Sequence, residues 1–503
     1  MRLSALAEGL QRTFATSPWP WRLHGMADPD LARACFDSRE VQPGDLFCAL
    51  PGGQQDGLSF WPQARQSGAV ALFRAAPGPA PQPTAPEIQP PAGVPVAQAA
   101  GWLAACLAGF PADQLFTAAV TGTNGKTTVV HLLQQALQAA SIPTARIGTL
   151  GFAFGGREVA SLTTSPAADR LHAWLRSALD QGARAAVLEA SSHGLVQHRL
   201  AGLRLDVAAW TNLSHDHLDY HGDMERYAAA KARLIHGLSA DAVAWLPAAV
   251  EPVLQQVQGA LCQKATWTLV EWEDPAPAAD LIGRFQACRE GFQLKLEGAW
   301  GGAQLQSPLV GRHNAENLVV AFALARSAGL DPEQAASALA QAQGAPGRLE
   351  VVAPESPWHL FVDYAHTPEA LARVLSALAD HFPGRRLGVV FGAGGDRDPS
   401  KRESMGRLAA EASDWCLVTS DNPRGENPES IAQAVAAGVA ASGRPVEVEV
   451  DRRRAIRTAV ARLRPGEVLL VAGKGHEPYQ EIDGVRHPFD DRLELQEAAR
   501  CSA

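Results

Sequence analysis

Thr121-Gly-Thr-Asn-Gly-Lys-Thr-Thr128 is a glycine-rich turn that closes on a lysine and two hydroxyls. Before it runs Leu115-Phe-Thr-Ala-Ala-Val120, which reads as a buried strand. After it, from Thr127, the apolar residues Val129, Val130, Leu132, Leu133 and Leu137 recur at near-helical spacing. A strand, a glycine turn and a helix N-terminus in that order bring successive backbone N–H groups onto one anion. Glycine is required because a side chain would hold the backbone away from phosphate oxygens. Gly122, Thr123, Asn124, Gly125 and Thr128 are therefore read as the cradle of a nucleoside triphosphate. Lys126 reaches the terminal phosphates and Thr127 ligates Mg²⁺. The turn is a variant form, since the first glycine of G-x-x-x-x-G-K-[ST] would fall on Val120.

Working outward, 503 residues suggest about three domains, and 46% hydrophobic content is ample for buried cores. A net charge of −9 argues against a nucleic-acid groove. Seven scattered cysteines without a C-x-x-C pair indicate neither a disulfide framework nor a zinc site. No apolar run approaches the roughly 18 residues of a membrane span. A cytoplasmic protein with no membrane insertion is expected. The proline-rich stretch 75–86 can hold neither helix nor central strand and is read as an exposed loop inserted in the first domain. Boundaries near Pro111 and Gly344-Ala-Pro-Gly347 give domains 1–110, 111–345 and 346–503.

Strand-like and helical runs alternate beyond residue 111, the pattern of an α/β fold with a mostly parallel sheet. The alternation restarts after 347 with His359-Leu-Phe-Val-Asp, Leu387-Gly-Val-Val-Phe, Trp415-Cys-Leu-Val-Thr and Val468-Leu-Leu-Val-Ala. Open α/β sheets bind ligands beyond the C-terminal ends of their strands, so Gly392–Asp398, Ser420–Arg424 and Gly473–Glu477 should share one crevice. In the middle domain Glu189 ends the run Ala185–Leu188, and Asp216-His217-Leu218-Asp219 follows Val207–Leu213. Carboxylate, imidazole and threonine hydroxyl at strand tips beside a phosphate turn are candidate Mg²⁺ ligands, although imidazole is an unusual partner for so hard a cation.

The set now on the page resembles the Mur ligases, across nearly the whole chain and in the family's order. Its members are the phosphate turn, Glu189-Ala-Ser-Ser-His-Gly-Leu-Val-Gln-His-Arg199, Thr211-Asn-Leu-Ser-His-Asp-His-Leu-Asp-Tyr-His-Gly222, Asp363-Tyr-Ala-His-Thr-Pro368 and Asp421-Asn-Pro-Arg424. The resemblance is closest to members that add diaminopimelate. It implies a smaller N-terminal α/β domain for a UDP-sugar, a central P-loop-type ATPase domain and a C-terminal Rossmann-like domain for the amino acid. It also implies ATP-driven amide formation: ATP phosphorylates the D-glutamate side-chain carboxylate of UDP-MurNAc-L-Ala-D-Glu, and an amine of meso-diaminopimelate attacks the acyl phosphate. Such chemistry asks a protein chiefly to position reactants and neutralise charge.

By the same resemblance, Lys126 and the turn hold ATP, Thr127 and Glu189 meet one Mg²⁺, and His217 meets a second. Lys231, in Tyr227-Ala-Ala-Ala-Lys, matches the family's lysine that carbon dioxide converts to a carbamate ligand of that second ion. Asn314, Arg348 and Asp363 are implied nucleotide contacts, with Asp363 at the ribose. Ser38, Gly53, Gln54 and Gln55 match the uridine diphosphate end, and Thr163, Thr164, Ser191, Gln197 and Arg199 the muramoyl-peptide end. Contacts at Ser165-Pro-Ala-Ala vary among relatives and carry less weight than Thr164.

Diaminopimelate carries a second amino-acid head that lysine lacks. Arg424, with Asp421, Asn422, Pro423, Arg397, Gly473 and Glu477, is implied in its recognition: Arg424 for the extra carboxylate, Glu477 for the ammonium. A site built for polar groups rejects an analogue that leaves them unpaired. The chain is expected to act as a monomer. Competing readings are a same-fold ligase adding L-lysine, a folylpolyglutamate synthase-like ligase, and a catalytically idle nucleotide-binding scaffold.

Overall fold

The computed structural model describes residues 1–13, 21–25, 27–52, 55–75, 85–288 and 291–502. Gly53, Gln54 and residues 76–84 of the proline-rich stretch lie outside the described residues. Among the described residues the chain builds three large sheets, of five, eleven and six strands, and a separate two-stranded hairpin.

The five-stranded sheet runs in space as Arg22–His24, Glu87–Gln89, Ala71–Arg74, Leu46–Ala49, Ala34–Cys35, and is parallel except at its first pair. At the centre of the eleven-stranded sheet lies Phe116–Thr121, flanked in parallel by Ala185–Glu189 and Val207–Trp210. The register pairs Glu189 with Val120 and Trp210 with Thr121, so all three strands end together where the phosphate turn begins. The strand therefore lies one residue later than the sequence pattern suggests, and the helix Lys126–Ala139 begins one earlier.

The centre of this sheet is parallel as expected, but both edges are antiparallel. Thr144–Gly148, Gly151–Phe154 and Arg157–Val159 form one edge, and Leu281–Cys288, Gly291–Gly298 and Ala303–Ser307 the other. These hairpins escape a reading based on strand–helix alternation because their connections hold no helix. One turns on Gly155-Gly156 at φ +59° and +81°, as a tight hairpin requires. On one face Val129, Val130, Leu132, Leu133 and Leu137 of Lys126–Ala139 pack with the helix Arg312–Ser327. The helices Ala168–Asp180 and Met224–His236 cover the other.

The six-stranded sheet has the spatial order Glu350–Val352, His359–Asp363, Val468–Ala472, Leu387–Phe391, Trp415–Val418, Glu447–Val448, parallel in all but its first pair. The loops after 363, 391, 418 and 472 consequently emerge at one edge. Two are clamped from below by Arg452, whose guanidinium donates to Ser420 O (3.2 Å) and Ala472 O (2.9 Å) and pairs doubly with Asp491 (2.7 Å). Both charged side chains are wholly buried. No helix among the described residues is long and apolar enough to cross a membrane.

Removing one partner of such a pair leaves a buried charge uncompensated. Arg452→Ala is expected to destabilise the protein by about 3–5 kcal/mol, read as a fall in urea midpoint with unchanged slope. A midpoint within error of the parent's would show that Asp491 finds other solvation.

Candidate active site

The phosphate turn is held by the loop that follows Val207–Trp210. Asn212 Oδ1 accepts from Asn124 N–H (2.9 Å), its amide donates to Asn124 O (3.1 Å), and Thr211 Oγ1 donates to the same carbonyl (2.6 Å). Two glycines make this fit possible. A Cβ on Gly122 (φ +139°) would lie 1.9 Å from Thr211 Oγ1, and one on Gly125 (φ +86°) 2.3 Å from Asn317 Oδ1. Asn317 in turn donates to Asn314 Oδ1 (3.3 Å), and Asn314 donates to Val310 O (2.8 Å), which ties that predicted nucleotide contact to the turn.

Lys126 Nζ donates to Gly122 O and Thr123 O, both at 2.8 Å. Lys231 Nζ donates to Gly122 O at 2.6 Å and lies 4.4 Å from the centre of the Tyr227 ring. Burial lowers the affinity of both lysines for a proton. The effect is strong at Lys231, where the nearby Lys126 charge works in the same direction. Tyr227 completes this wall with its hydroxyl 3.3 Å from Thr123 Oγ1.

Thr127 Oγ1 donates to Glu189 Oε2 at 2.9 Å, so the structure brings together the two residues assigned to one cation. Glu189 also accepts from Thr149, through N–H at 2.7 Å and Oγ1 at 3.1 Å. Its carboxylate lies so close to the neighbouring strand that a Cβ on Gly148 would come within 2.2 Å of it. His217 stands apart from this pair. It is half exposed, sits at φ +53°, and faces Asp216 (3.4 Å), with its ring 4.9 Å from His193 and 6.4 Å from Tyr227. No hydrogen bond joins His217 to Thr127, Glu189 or Lys231 among the described residues. Nor do three or more His, Cys, Asp or Glu side chains there form a metal-binding group. The donor set at Thr127 and Glu189 is hydroxyl and carboxylate oxygen, which suits Mg²⁺.

The peptide-end residues gather on Ser165. Its Oγ donates to Glu189 O (3.0 Å) and accepts from Ser191 N–H (3.0 Å), while its carbonyl accepts from Thr163 Oγ1 (2.9 Å) and Arg199 (2.7 Å). Thr164 Oγ1 lies 3.2 Å from Thr149 Oγ1, whose proton goes to Glu189, so that the Thr164 hydroxyl donates. Gln197 is exposed at the end of the short helix Ser192–Val196. In the first sheet's loops, Ser38 Oγ donates to Gln63 Oε1 (3.1 Å), Gln55 is exposed, and Gly53 and Gln54 lie outside the described residues. Phe36 N–H donates to Asp169 (2.9 Å), and Glu40 pairs with Arg170, which fixes these loops to the helix Ala168–Asp180.

In the third sheet, the loops after 391, 418 and 472 converge as expected. Gly395 N–H donates to Asn422 O (2.9 Å), and a Cβ on Gly473 (φ +117°) would lie 3.0 Å from Asp421 Oδ2. Asn422 Nδ2 donates to Glu477 Oε2 (2.8 Å). Pro423 precedes Arg424, whose φ of +53° is stabilised by hydrogen bonds to the hairpin Tyr479–Ile482/Val485–Pro488: Arg424 N–H to Glu481 O (3.0 Å) and Asp483 N–H to Arg424 O (2.6 Å). The guanidinium spends one donor on Gly395 O (2.7 Å). Arg397 is exposed, its Cγ 4.0 Å from where a Cβ on Gly394 would stand.

The two centres are connected at the hinge. Arg348 stacks on Tyr364 (4.7 Å to the ring centre), whose hydroxyl is 3.4 Å from Glu477 Oε1. Asp363, assigned to a ribose, accepts from Leu349 N–H (2.6 Å) and Ala365 N–H (2.7 Å), and so pins the hinge to the third sheet.

Residues overlooked by the sequence reading are Thr149, Asn317, Tyr364 and Lys474; Ser165 was discounted by it. Tyr364 and Lys474 lie inside quoted segments and Asn317 three residues after Asn314, where a polar residue among assigned neighbours was the available signal. Thr149 carried none, since only the edge hairpin brings it to Glu189.

Three descriptions of the Mur ligase family match the chain: its catalytic domain at 34–111, its middle domain at 120–325 and its glutamate ligase domain at 347–475. A UDP-N-acetylmuramoyl-L-alanyl-D-glutamate–2,6-diaminopimelate ligase of Gloeobacter violaceus is 41% identical over 475 residues, 94% of each chain. An enzyme of the same name from Chromobacterium violaceum is 39% identical over 501 residues, covering 97% of this chain and 98% of the relative. A solved structure bearing that name superposes with a TM-score of 0.67 at 35% identity, over 94% of this chain and 95% of the other. The chain belongs to the Mur ligase family.

Proposed function

We propose that this protein is an ATP-dependent ligase that joins meso-diaminopimelate to the D-glutamate side-chain carboxylate of UDP-MurNAc-L-Ala-D-Glu in peptidoglycan precursor synthesis. The observation that carries the reading is the stacking of Arg348, an implied nucleotide contact, on Tyr364, whose hydroxyl is 3.4 Å from Glu477 in the loops implied for the amino acid. It supports nucleotide and amino-acid sites that face one another. The names of the relatives support the same substrates. Three lobes, 1–110, 111–345 and 346–503, would supply the UDP-sugar, nucleotide and amino-acid sites, in a monomer working in the cytoplasm.

In this reading the turn 122–128, Asn314, Arg348 and Asp363 hold ATP. Ser38, the 53–55 loop, Thr163, Thr164, Ser191, Gln197 and Arg199 hold the UDP-linked dipeptide. The substrate carboxylate attacks the γ-phosphorus and ADP departs. The diaminopimelate amine then adds to the acyl phosphate carbonyl, and phosphate leaves as the amide forms. Lys126 withdraws from the carbonyls of 122 and 123 to meet the transferring phosphoryl group and neutralises its charge. Arg424 orients the amino acid through its distal carboxylate, helped by Arg397, while Asp421 and Glu477 take its ammonium and Asn422 holds Glu477 in place.

Thr127 and Glu189 would hold one Mg²⁺, and His217 with the carbamate of Lys231 a second. Bound there, the ions would draw negative charge off the phosphates. Lys231 suits carbamylation because burial favours its neutral amine, the form that can attack carbon dioxide.

The direct test is phosphate release from ATP in the presence of UDP-MurNAc-L-Ala-D-Glu with diaminopimelate, with lysine, or with no amino acid. Release that depends on diaminopimelate is expected; release indifferent to it would sink the proposal. Lys231→Ala should lower turnover on the order of a hundredfold or more, and ¹³C-labelled bicarbonate should give a carbamate signal in the parent that the variant lacks. Arg424→Ala removes charge-assisted hydrogen bonds of about 1.5–3 kcal/mol. It should cost roughly ten- to a hundredfold in kcat/KM for diaminopimelate while leaving the KM for ATP unchanged. Equal kinetics in variant and parent would take Arg424 out of the pocket.

A further inference from the structure

Lys474 is wholly buried among the loops of the amino-acid pocket, between Gly473 and Glu477, and no substrate contact has been assigned to it. Its ammonium donates to Asn422 Oδ1 at 2.8 Å and lies 3.5 Å from Glu477 Oε2 and 3.7 Å from Asp421 Oδ1. The same Asn422 oxygen accepts Glu481 N–H at 3.0 Å. With two donors on that oxygen, the amide has one orientation, and its Nδ2 must face Glu477 Oε2, as it does at 2.8 Å. Turned the other way, the amide would set oxygen against carboxylate and nitrogen against ammonium.

Lys474 thereby bridges two loops that reach the pocket from different strands, and it stands between two carboxylates that would otherwise repel each other. Asp421 Oδ1 is buried yet accepts no hydrogen bond. Its nearest cation is Lys474 at 3.7 Å, an ion pair beyond hydrogen-bond distance, so the oxygen keeps acceptor capacity. Arg424 has spent one donor on Gly395 O and keeps the rest of its fork.

We infer that Lys474 is a specificity-determining positioning residue. It orients Asn422 and, through it, Glu477, and with Asp421 beside it sets the two acids for the ammonium of a ligand's distal head, while its own charge offsets one of them. A lone ammonium is therefore under-rewarded, whereas a head carrying both ammonium and carboxylate satisfies the acids and Arg424 together. The inference rests on the diaminopimelate reading of this pocket and names what would make the pocket select a zwitterion over the simple cation of lysine.

Lys474→Met keeps the length of the side chain and removes its charge and donors. The expected result is a rise of roughly tenfold or more in the KM for diaminopimelate, a comparable loss of preference for diaminopimelate over lysine, and an unchanged KM for ATP. An unchanged preference, or KM values for ATP and diaminopimelate that rise together, would overturn the inference. Should the variant fail to fold, the parent enzyme decides, assayed with lysine and with 2-aminopimelate, an acid lacking the distal amine. Both should be used at least about a hundredfold less efficiently than diaminopimelate, and equal use of either overturns the inference. A parent that turns over no amino acid would bring down the functional reading with it. Diaminopimelate turnover with unaltered selectivity in Lys474→Met would overturn the inference alone.

Discussion

The carbonyl of Gly122 accepts from two lysines at once, Lys126 at 2.8 Å and Lys231 at 2.6 Å, and much of the middle of the molecule follows from that crowding. Two ammonium groups on one oxygen would repel. Burial resolves the conflict by favouring the uncharged form of Lys231, with the charge on Lys126 acting in the same sense. The approach is possible only because Gly122 has no side chain; Thr211 already fills the place where a Cβ would stand. One glycine therefore serves both halves of the site. In the proposed function it would let the backbone near a phosphate, and its carbonyl holds the amine of Lys231 at the turn. The turn is tight because it is wrapped, with Asn212 and Thr211 holding both the amide and the carbonyl of Asn124.

The third sheet handles charge differently. Arg452 and Asp491 are both fully buried, and the desolvation of two such ions is of the same order as their attraction, so the pair is poor value as a source of stability. What it accomplishes is geometric. Arg452 also donates to the carbonyls of Ser420 and Ala472, the residues immediately before Asp421 and Gly473, and so fixes the separation of the two loops that frame the pocket. Lys474 repeats the device one layer nearer the cleft, on the side chains rather than the backbone. Buried cations thus stiffen the pocket at two successive depths.

How much of this could be read from the chain depended on how local the signal was. The phosphate turn, the strand ends at Glu189 and Asp363, and the convergence of 392–398, 420–424 and 473–477 follow from strand–turn–helix order, because parallel strands put their C-terminal ends on one edge. The antiparallel edges of the middle sheet were illegible to the same rule, since their hairpins contain no helix to count. Thr149 was lost with them, for it reaches Glu189 only through the hairpin Thr144–Gly148/Gly151–Phe154. Asn317 and Lys474 failed for a different reason. Each touches an assigned residue rather than an implied ligand, and a residue that acts through another leaves no mark in spacing.

Ser165 shows how far that indirect ordering extends. Sequence reading gave it less weight than Thr164, yet its hydroxyl joins the backbone of Glu189 to that of Ser191, and its carbonyl gathers Thr163 and Arg199. The side chain of Glu189 meanwhile lies against Thr127 at the phosphate turn. The strand Ala185–Glu189 therefore has one end shared by two tasks: its carboxylate faces the nucleotide side, and its carbonyl, through a single serine, sets the residues on the peptide side. In the proposed reaction a shift of that strand end would move the residues on both sides together, whereas in-line phosphoryl transfer depends on the separation of the reactants.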